Sequence, residues 1–211
     1  MVTAGPTYEA IDPVRFIGNH SSGKMGFAIA NSFYEHGAEV ILITGTTNEK
    51  INYKGIQTIK ITSSDEMFNE CIKYCGDADI IVMNAAVADF TPKIKANKKI
   101  KKTEEKINLE LVATKDILLH LGKNKKNKQF IIGFALETDN EYQNALNKMN
   151  KKKLDCIILN SLKNAHACFG VDTNTISILD QKNELKYNNK PKTEVAEDIV
   201  HYTISKINLQ N

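Results

Sequence analysis

"ADIIVMNAAVADF", residues 78–90, decides the fold. Its first half is an Ile/Val-rich run with no polar alternation, the pattern of a buried strand, and it breaks at Asn-Ala-Ala into small residues where the chain turns. Similar runs precede and follow it: "VTAG" (2–5), "AEVILITG" (38–45), "QTIKI" (57–61), "QFIIGFAL" (129–136) and "LDCIILN" (154–160). Helical patterns fall between them, over Lys24–His36 with Gly37 as its cap, Ser64–Cys75 with a capped acidic first turn, the short Asp116–Leu121, and the amphipathic Asp139–Lys151. Strand alternating with helix predicts an α/β fold with a Rossmann-like, doubly wound, mostly parallel sheet. Downstream, "TISILD" and "ELKYN" flank "QKN" as a hairpin, and "KTEVAEDIVHYTISKI" makes a last helix.

One segment breaks the rhythm. Between Thr91 and Val112 a lysine-rich stretch runs into "KINLELV", which alternates like an exposed strand. We read it as an arm (about residues 91–112) projecting from the sheet, its basic residues able to reach back over a ligand. From Lys93 to Lys106 it carries seven lysines against two glutamates.

The 211 residues suffice for one sizeable core, so residues 1–211 are expected to form a single domain. A formal charge of +3 is too small to imply a nucleic-acid partner, and no apolar run approaches the roughly 20 residues of a membrane span. With no basic-then-apolar leader at the N-terminus, this points to the cytoplasm. The cysteines Cys71, Cys75, Cys156 and Cys168 fit no zinc spacing and read as reduced thiols in or near the core.

Sheets of this kind bind ligands beyond the carboxyl ends of their strands. Four loops are therefore expected on one edge: "AGPT", "GTT", "NAAVADF" and "GFALET". Ahead of the first helix, Gly18–Met25 reads "GNHSSGKM", a phosphate-loop pattern except that Met25 stands where a magnesium-holding Ser or Thr belongs. A long loop also separates it from its strand. It is therefore not a classical P-loop but a hydroxyl-rich helix N-terminus, with Arg15, Asn19, His20 and Lys24 nearby to suit an anion and Ser21 or Ser22 free to cap.

Taken in order, "VTAGPTYEAIDPVRFIGNHSSGKMG", "NAAVADF", the "KIKK" of Lys99–Lys102, "GFALET" and "KKKLDCIILN" closely resemble phosphopantothenate–cysteine ligases of coenzyme A biosynthesis, from Val2 to about Asp180. The resemblance implies activation of 4'-phosphopantothenate by a nucleotide, CTP in bacterial members, with Mg2+. Cysteine then displaces the nucleotide from the acyl-cytidylate, giving 4'-phosphopantothenoylcysteine, CMP and pyrophosphate. It also implies a homodimer, for which "KINLELV" offers an edge, and frequent fusion behind a flavin-dependent decarboxylase. The abrupt start on a strand suggests a domain of such a longer chain.

Carried over residue by residue, the resemblance assigns Asn19 to the acyl-nucleotide intermediate, where an amide can donate to a developing oxyanion. Lys99 is assigned to formation of that intermediate, its ammonium offsetting charge as pyrophosphate leaves. The nucleotide pocket maps onto Asn84, Ala85, Ala86, Asp89, Phe134, Lys148 and Lys152, with Asp116 and Ile117 of "TKDI" and again Lys99. Lys148 and Lys152, four apart, are expected to reach phosphate from one helix face, and Asp89 to meet the nucleotide directly or through a cation; the metal ligands are not assigned. Lys115 replaces the usual proline and Leu136 the usual alanine. Without the resemblance, two other classes remain: an NAD(P)-dependent reductase, which lacks here both its G-x-G-x-x-G and a Tyr-x-x-x-Lys pair, and a non-catalytic anion-binding module.

Overall fold

The computed structural model describes residues 1–102, 106–137, 139–161 and 171–208. The chain opens with β1 (Val2–Ala4), a short hairpin β2 (Tyr8–Ala10) and β3 (Phe16–Gly18), and α1 (Lys24–Glu35). β4 (Ile41–Thr44), β5 (Gln57–Lys60), α2 (Ser64–Cys75) and β6 (Ile80–Met83) follow. Next come the arm hairpin β7 (Phe90–Pro92) and β8 (Leu111–Ala113), then α3 (Ile117–Lys123), β9 (Phe130–Glu137), α4 (Glu141–Lys151) and β10 (Cys156–Ser161). The chain finishes with β11 (Thr173–Asn174), β12 (Ile176–Asp180), β13 (Glu184–Lys186), β14 (Lys190–Pro191) and α5 (Lys192–Asn208).

The eight-stranded central sheet runs β13-β12-β10-β9-β6-β1-β4-β5. The six strands from β5 to β10 make five pairings, all parallel, and numbered by their own sequence order they read 3-2-1-4-5-6. That is the doubly wound Rossmann order, whose direction reverses between β1 and β6. The antiparallel hairpin β12–β13 extends the edge, and Asp180 Oδ1 closes its turn by accepting from Lys182 and Asn183 backbone N–H at 2.8 and 2.7 Å. Alternate residues of the strands face two cores: one beneath α1 and α5, including Val2, Phe27, Ile158 and Ile199, and one beneath α2, α3 and α4, including Met67, Ile131, Leu121 and Met149.

Helix ends follow the chemistry expected of them, with one adjustment. Ser63 and Glu66 form a reciprocal capping box on α2, and Gly37 enters the left-handed region (φ 85°) just past α1. At the start of α1 the cap position is not a serine but Gly23, at φ 86°, which only glycine adopts without strain. The Ser21 and Ser22 hydroxyls accept instead from the Gly23 and Lys24 N–H at 3.3 and 3.5 Å. Gly26 lets α1 lie close on the switch point, since an added Cβ there would stand 2.6 Å from Ala4 Cβ and 2.9 Å from Asn84 Oδ1.

The expected strand "KINLELV" is not continuous: Leu111–Ala113 pairs, antiparallel to Phe90–Pro92, as a two-stranded hairpin at the base of the arm. Within the arm, Ala96 and Ile100 bond to the loop after β2. Cys71 and Cys156 are buried as expected and Cys75 partly so; burial pushes the Cys71 thiol up to about 12. Cys168 lies outside the described residues. Among these residues no helix is long and apolar enough to cross a membrane.

Candidate active site

Helix α1's N-terminus, the loop after β6 and the carboxyl end of β9 converge on a cavity of about 440 Å³ at the carboxyl edge of the sheet. A larger hollow of about 1000 Å³, lined by Met1, Tyr34, Gly55 and Asp79 among others, lies at the opposite edge, away from the switch point. The smaller cavity is the candidate site, because strand ends and a helix N-terminus supply it with outward-facing backbone groups.

Its wall is a loop that the neighbouring strand holds in place. Thr3 Oγ1 accepts from Ala85 N–H (3.1 Å), the Ala86 N–H donates to Gly5 O (2.9 Å), Thr7 N–H donates to Ala86 O (3.2 Å), and Thr7 Oγ1 accepts from Ala88 N–H (2.9 Å). Thus "AGPT" does not line the cavity but fixes the "NAAVADF" loop that does. "GTT" supports the other side: Thr47 Oγ1 donates to Ser22 O at 2.5 Å.

Asn19 completes the wall. Its Nδ2 donates to the carbonyls of Ala86 (3.1 Å) and Val87 (3.3 Å). The amide hydrogens expected to meet an oxyanion are therefore engaged with the loop, and they reach a ligand only by leaving those carbonyls. Lys148, from α4, donates to Phe134 O at 2.8 Å. Burial pushes its ammonium below the usual range, and the charge of Lys152 acts the same way; Glu137, Asp89 and Asp116 offset this in part. Asp89 is the one carboxylate among the described cavity-lining residues.

The cavity therefore gathers Asn19, Asn84, Ala85, Ala86, Asp89, Phe134 and Lys148 of the residues expected from sequence. Four others lie outside its lining. Asp116 caps α3 by accepting from Leu119 N–H (2.9 Å) and pairs with Lys152 at 3.1 Å, while Ile117 is buried in the second core. Lys152 is the C-cap residue of α4, its N–H donating to Lys148 O at 3.0 Å, and its ammonium is paired with Asp116 outside the cavity lining. Lys99 is exposed on the arm. Of the anion-suited group near α1, Lys24 lines the cavity and pairs with Asp172 at 2.5 Å, whereas Arg15 turns away to Asp12.

Three cavity residues escaped the sequence reading: Asn160, Asn174 and Lys192. Asn160 stands at the end of a parallel strand, a position that could have flagged it. Its Oδ1 is buried and has no hydrogen-bond partner among the described residues, the condition of an acceptor awaiting a ligand donor.

Residues 1–207 match the family described as the DNA/pantothenate metabolism flavoprotein C-terminal domain. The chain belongs to that family. It is 46% identical over 200 residues to a cysteine/cysteine sulfinic acid decarboxylase of an unknown prokaryotic organism, covering 94% of this chain and 56% of that protein. It is 41% identical over 202 residues to the coenzyme A biosynthesis bifunctional protein CoaBC of Borreliella burgdorferi, covering 95% of this chain and 50% of that one. The chain thus spans about half the length of the curated relatives it matches. Among solved structures, the C-terminal domain of a coenzyme A biosynthesis bifunctional protein CoaBC superposes with TM-score 0.82 at 34% identity, covering 99% of this chain and 94% of that one. A Cab2 mutant in complex with phosphopantothenate-cysteine shares the fold, with TM-score 0.74 at 17% identity over 98% of this chain and 85% of that one.

Proposed function

We propose that this family member is a CTP-dependent phosphopantothenate–cysteine ligase, acting in two half-reactions through an acyl-cytidylate. The observation that carries this reading is the convergence, at the switch point of a sheet belonging to this family, of Asn19, the Asn84–Asp89 loop, Phe134 and Lys148 on one cavity. On this reading the pocket wall at Ala85, Ala86 and Phe134 accepts the small pyrimidine, and Lys148 exchanges the Phe134 carbonyl for phosphate.

Magnesium fits the donor set. Mg2+ is held by one or two carboxylates together with substrate phosphates, and Asp89 offers an exposed carboxylate on the cavity rim. When bound, the ion would offset charge on the nucleotide's phosphates. In the first half-reaction the phosphopantothenate carboxylate attacks the α-phosphate, and Lys99, brought over the site by the arm, offsets charge on the departing pyrophosphate. In the second, the cysteine amine attacks the acyl carbon while Asn19 Nδ2, released from Ala86 and Val87, donates to the oxyanion.

The same reading includes a cytoplasmic homodimer and association, by fusion or contact, with a flavin-dependent decarboxylase. Val14, Phe16, Phe90, Ile94 and Leu111 are exposed on the β2–β3 hairpin and arm, which supports a second copy docking there. A monomer in sedimentation at micromolar concentration would remove the dimer from the proposal. Incubation with CTP, Mg2+, phosphopantothenate and cysteine should release pyrophosphate and form the coupled product. Pyrophosphate release that is absent, or equal rates with ATP and CTP, would overturn the ligase or its cytosine-reading pocket respectively.

A further inference from the structure

At the far end of α1 from the cavity, three side chains meet at the surface in an arrangement the ligase reading does not use. His36 closes α1, and Glu197 and His201 lie one turn apart on α5. Their ligand atoms crowd one point: His36 Nε2 is 3.1 Å from His201 Nε2 and 3.7 Å from Glu197 Oε2, and His201 Nε2 is 3.8 Å from the same oxygen. We propose that His36, Glu197 and His201 form a binding site for a borderline transition-metal cation, Zn2+ in the first instance, that clamps α1 to α5.

The distances suit such an ion. A tetrahedral Zn2+ with ligands at about 2.1 Å separates them by about 3.4 Å, within a few tenths of all three observed spacings. Two imidazoles and one carboxylate, with a fourth position left to water, form a nitrogen-rich set that favours Zn2+ or Ni2+ over Mg2+ or Ca2+. Solvent reaches the point, since the His36, Glu197 and His201 side chains retain 28, 39 and 67% exposure.

The surroundings prepare two of the ligands. His36 Nδ1 lies 2.8 Å from the Ser32 carbonyl, which can only accept, so the ring hydrogen sits on Nδ1 and the Nε2 lone pair faces the cluster. Ser32 Oγ donates to Glu197 Oε1 at 3.0 Å, leaving Oε2 for the ion. Without metal, His201 Nε2–H donates to His36 Nε2. Coordination moves that hydrogen to His201 Nδ1, which frees the second lone pair with no net change of protons. The two rings stand edge to face at 83°, so their nitrogens approach one point from different directions.

Titration of the tag-free chain with ZnCl2 by calorimetry should show one site per chain, with a thermal midpoint that rises with zinc. Removing an outer-shell partner from a metal site costs ten- to a hundredfold in affinity, so removing a ligand should cost on the order of a hundredfold or more. His201→Ala, at a mostly exposed position, and Glu197→Ala should both show that loss and both lose the zinc-dependent rise in midpoint. With Co2+ the spectrum should lack thiolate-to-metal absorption, and Cys75→Ser should leave binding intact. Absence of stoichiometric binding, or binding unchanged in both His201→Ala and Glu197→Ala, would overturn the site.

Discussion

The cavity wall and the arm carry lysines and asparagines of similar type, yet they are built in opposite ways. The wall stands on a parallel sheet, and each of its turns is pinned by a bond to β1 or the loop after it: Ala85 to Thr3, Ala86 to Gly5, Ala88 to Thr7. Among the described residues between Lys93 and Glu110 the arm forms no strand. It is held chiefly where its backbone crosses the β2–β3 loop, by Ala96 N–H donating to Ile11 O (2.9 Å) and by a knot around Asp12. The Asp12 carboxylate, itself buried, accepts from Arg15 Nε and Nη2, from the Val14 and Arg15 N–H, and from Ile100 N–H at 3.0 Å; Arg15 also donates to Ile100 O. The Arg15 guanidinium holds that carboxyl far below the usual carboxylate range. A wall fixed by its sheet can recognise a ligand before chemistry. An arm fixed at one knot can deliver a charge during it.

Lys99→Gln tests that division most severely. The side chain is exposed, so the fold should persist while pyrophosphate release falls on the order of a thousandfold, the upper range for losing one electrostatic contact to developing charge. Nucleotide affinity, set by the wall, should change little. A Lys99→Gln protein that releases pyrophosphate at the parent rate would make the arm an ordinary solvated surface.

Asn19→Asp probes the wall with a smaller expected effect. The substitution keeps volume but places a carboxylate against the Ala86 and Val87 carbonyls that now receive amide hydrogens, and it opposes the oxyanion of the second step. Single-turnover pyrophosphate release should persist while transfer to cysteine slows about a hundredfold, so that acyl-cytidylate accumulates and is seen by mass spectrometry. Loss of both steps together would show that Asn19 serves mainly to hold the loop.

Asp12→Ala addresses the junction between the two regions. Untying Ile100, the residue next to Lys99, should slow pyrophosphate release about tenfold through misplacement, with nucleotide affinity unchanged and proteolysis of the arm faster. Unaltered proteolysis and rate would mean that Asp12 is not the arm's anchor.

The same contrast explains what could be read from sequence. Buried strands such as "ADIIVM" and "CIILN" announce themselves because a side chain shielded on both faces must be apolar, and the sheet they build places "NAAVADF" and "GFALET" at its edge with no further information. The knot did not announce itself. Asp12 and Arg15 sit in a loop whose partners are backbone atoms of residue 100, and a backbone partner leaves no mark on residue type. β2 and β3 were missed for a related reason: three-residue strands, joined across by Tyr8 stacking on Phe16 at 4.0 Å, are too short to show a period. Asn174 and Lys192 reach the cavity from beyond the last parallel strand, a route fixed by tertiary packing. His36 and His201 are 165 residues apart, and only the packing of α1 on α5 makes them neighbours.

The smallest effect concerns Lys148, where wall and ligand exchange a fraction of a proton. Its ammonium is half-buried, donates to Phe134 O, and titrates below its ordinary 10.5 because burial and Lys152 disfavour the charge. Between that lowered value and 10.5 the unfolded chain binds more protons than the folded one. The stability cost of this residue therefore fades as pH rises through that window and is fully present below it. A bound nucleotide reverses the bias, since its phosphates supply the opposite charge that the empty site lacks and raise the Lys148 pKa. Binding CTP within the alkaline window should thus take up less than one proton per site, and affinity should weaken as pH climbs through the raised value. Calorimetric titrations at one alkaline pH in buffers of different ionisation enthalpy would measure the uptake directly, and Lys148→Met should abolish it while leaving the arm's response to Lys99→Gln unchanged. Heats independent of buffer in the parent chain would place the phosphates elsewhere than Lys148.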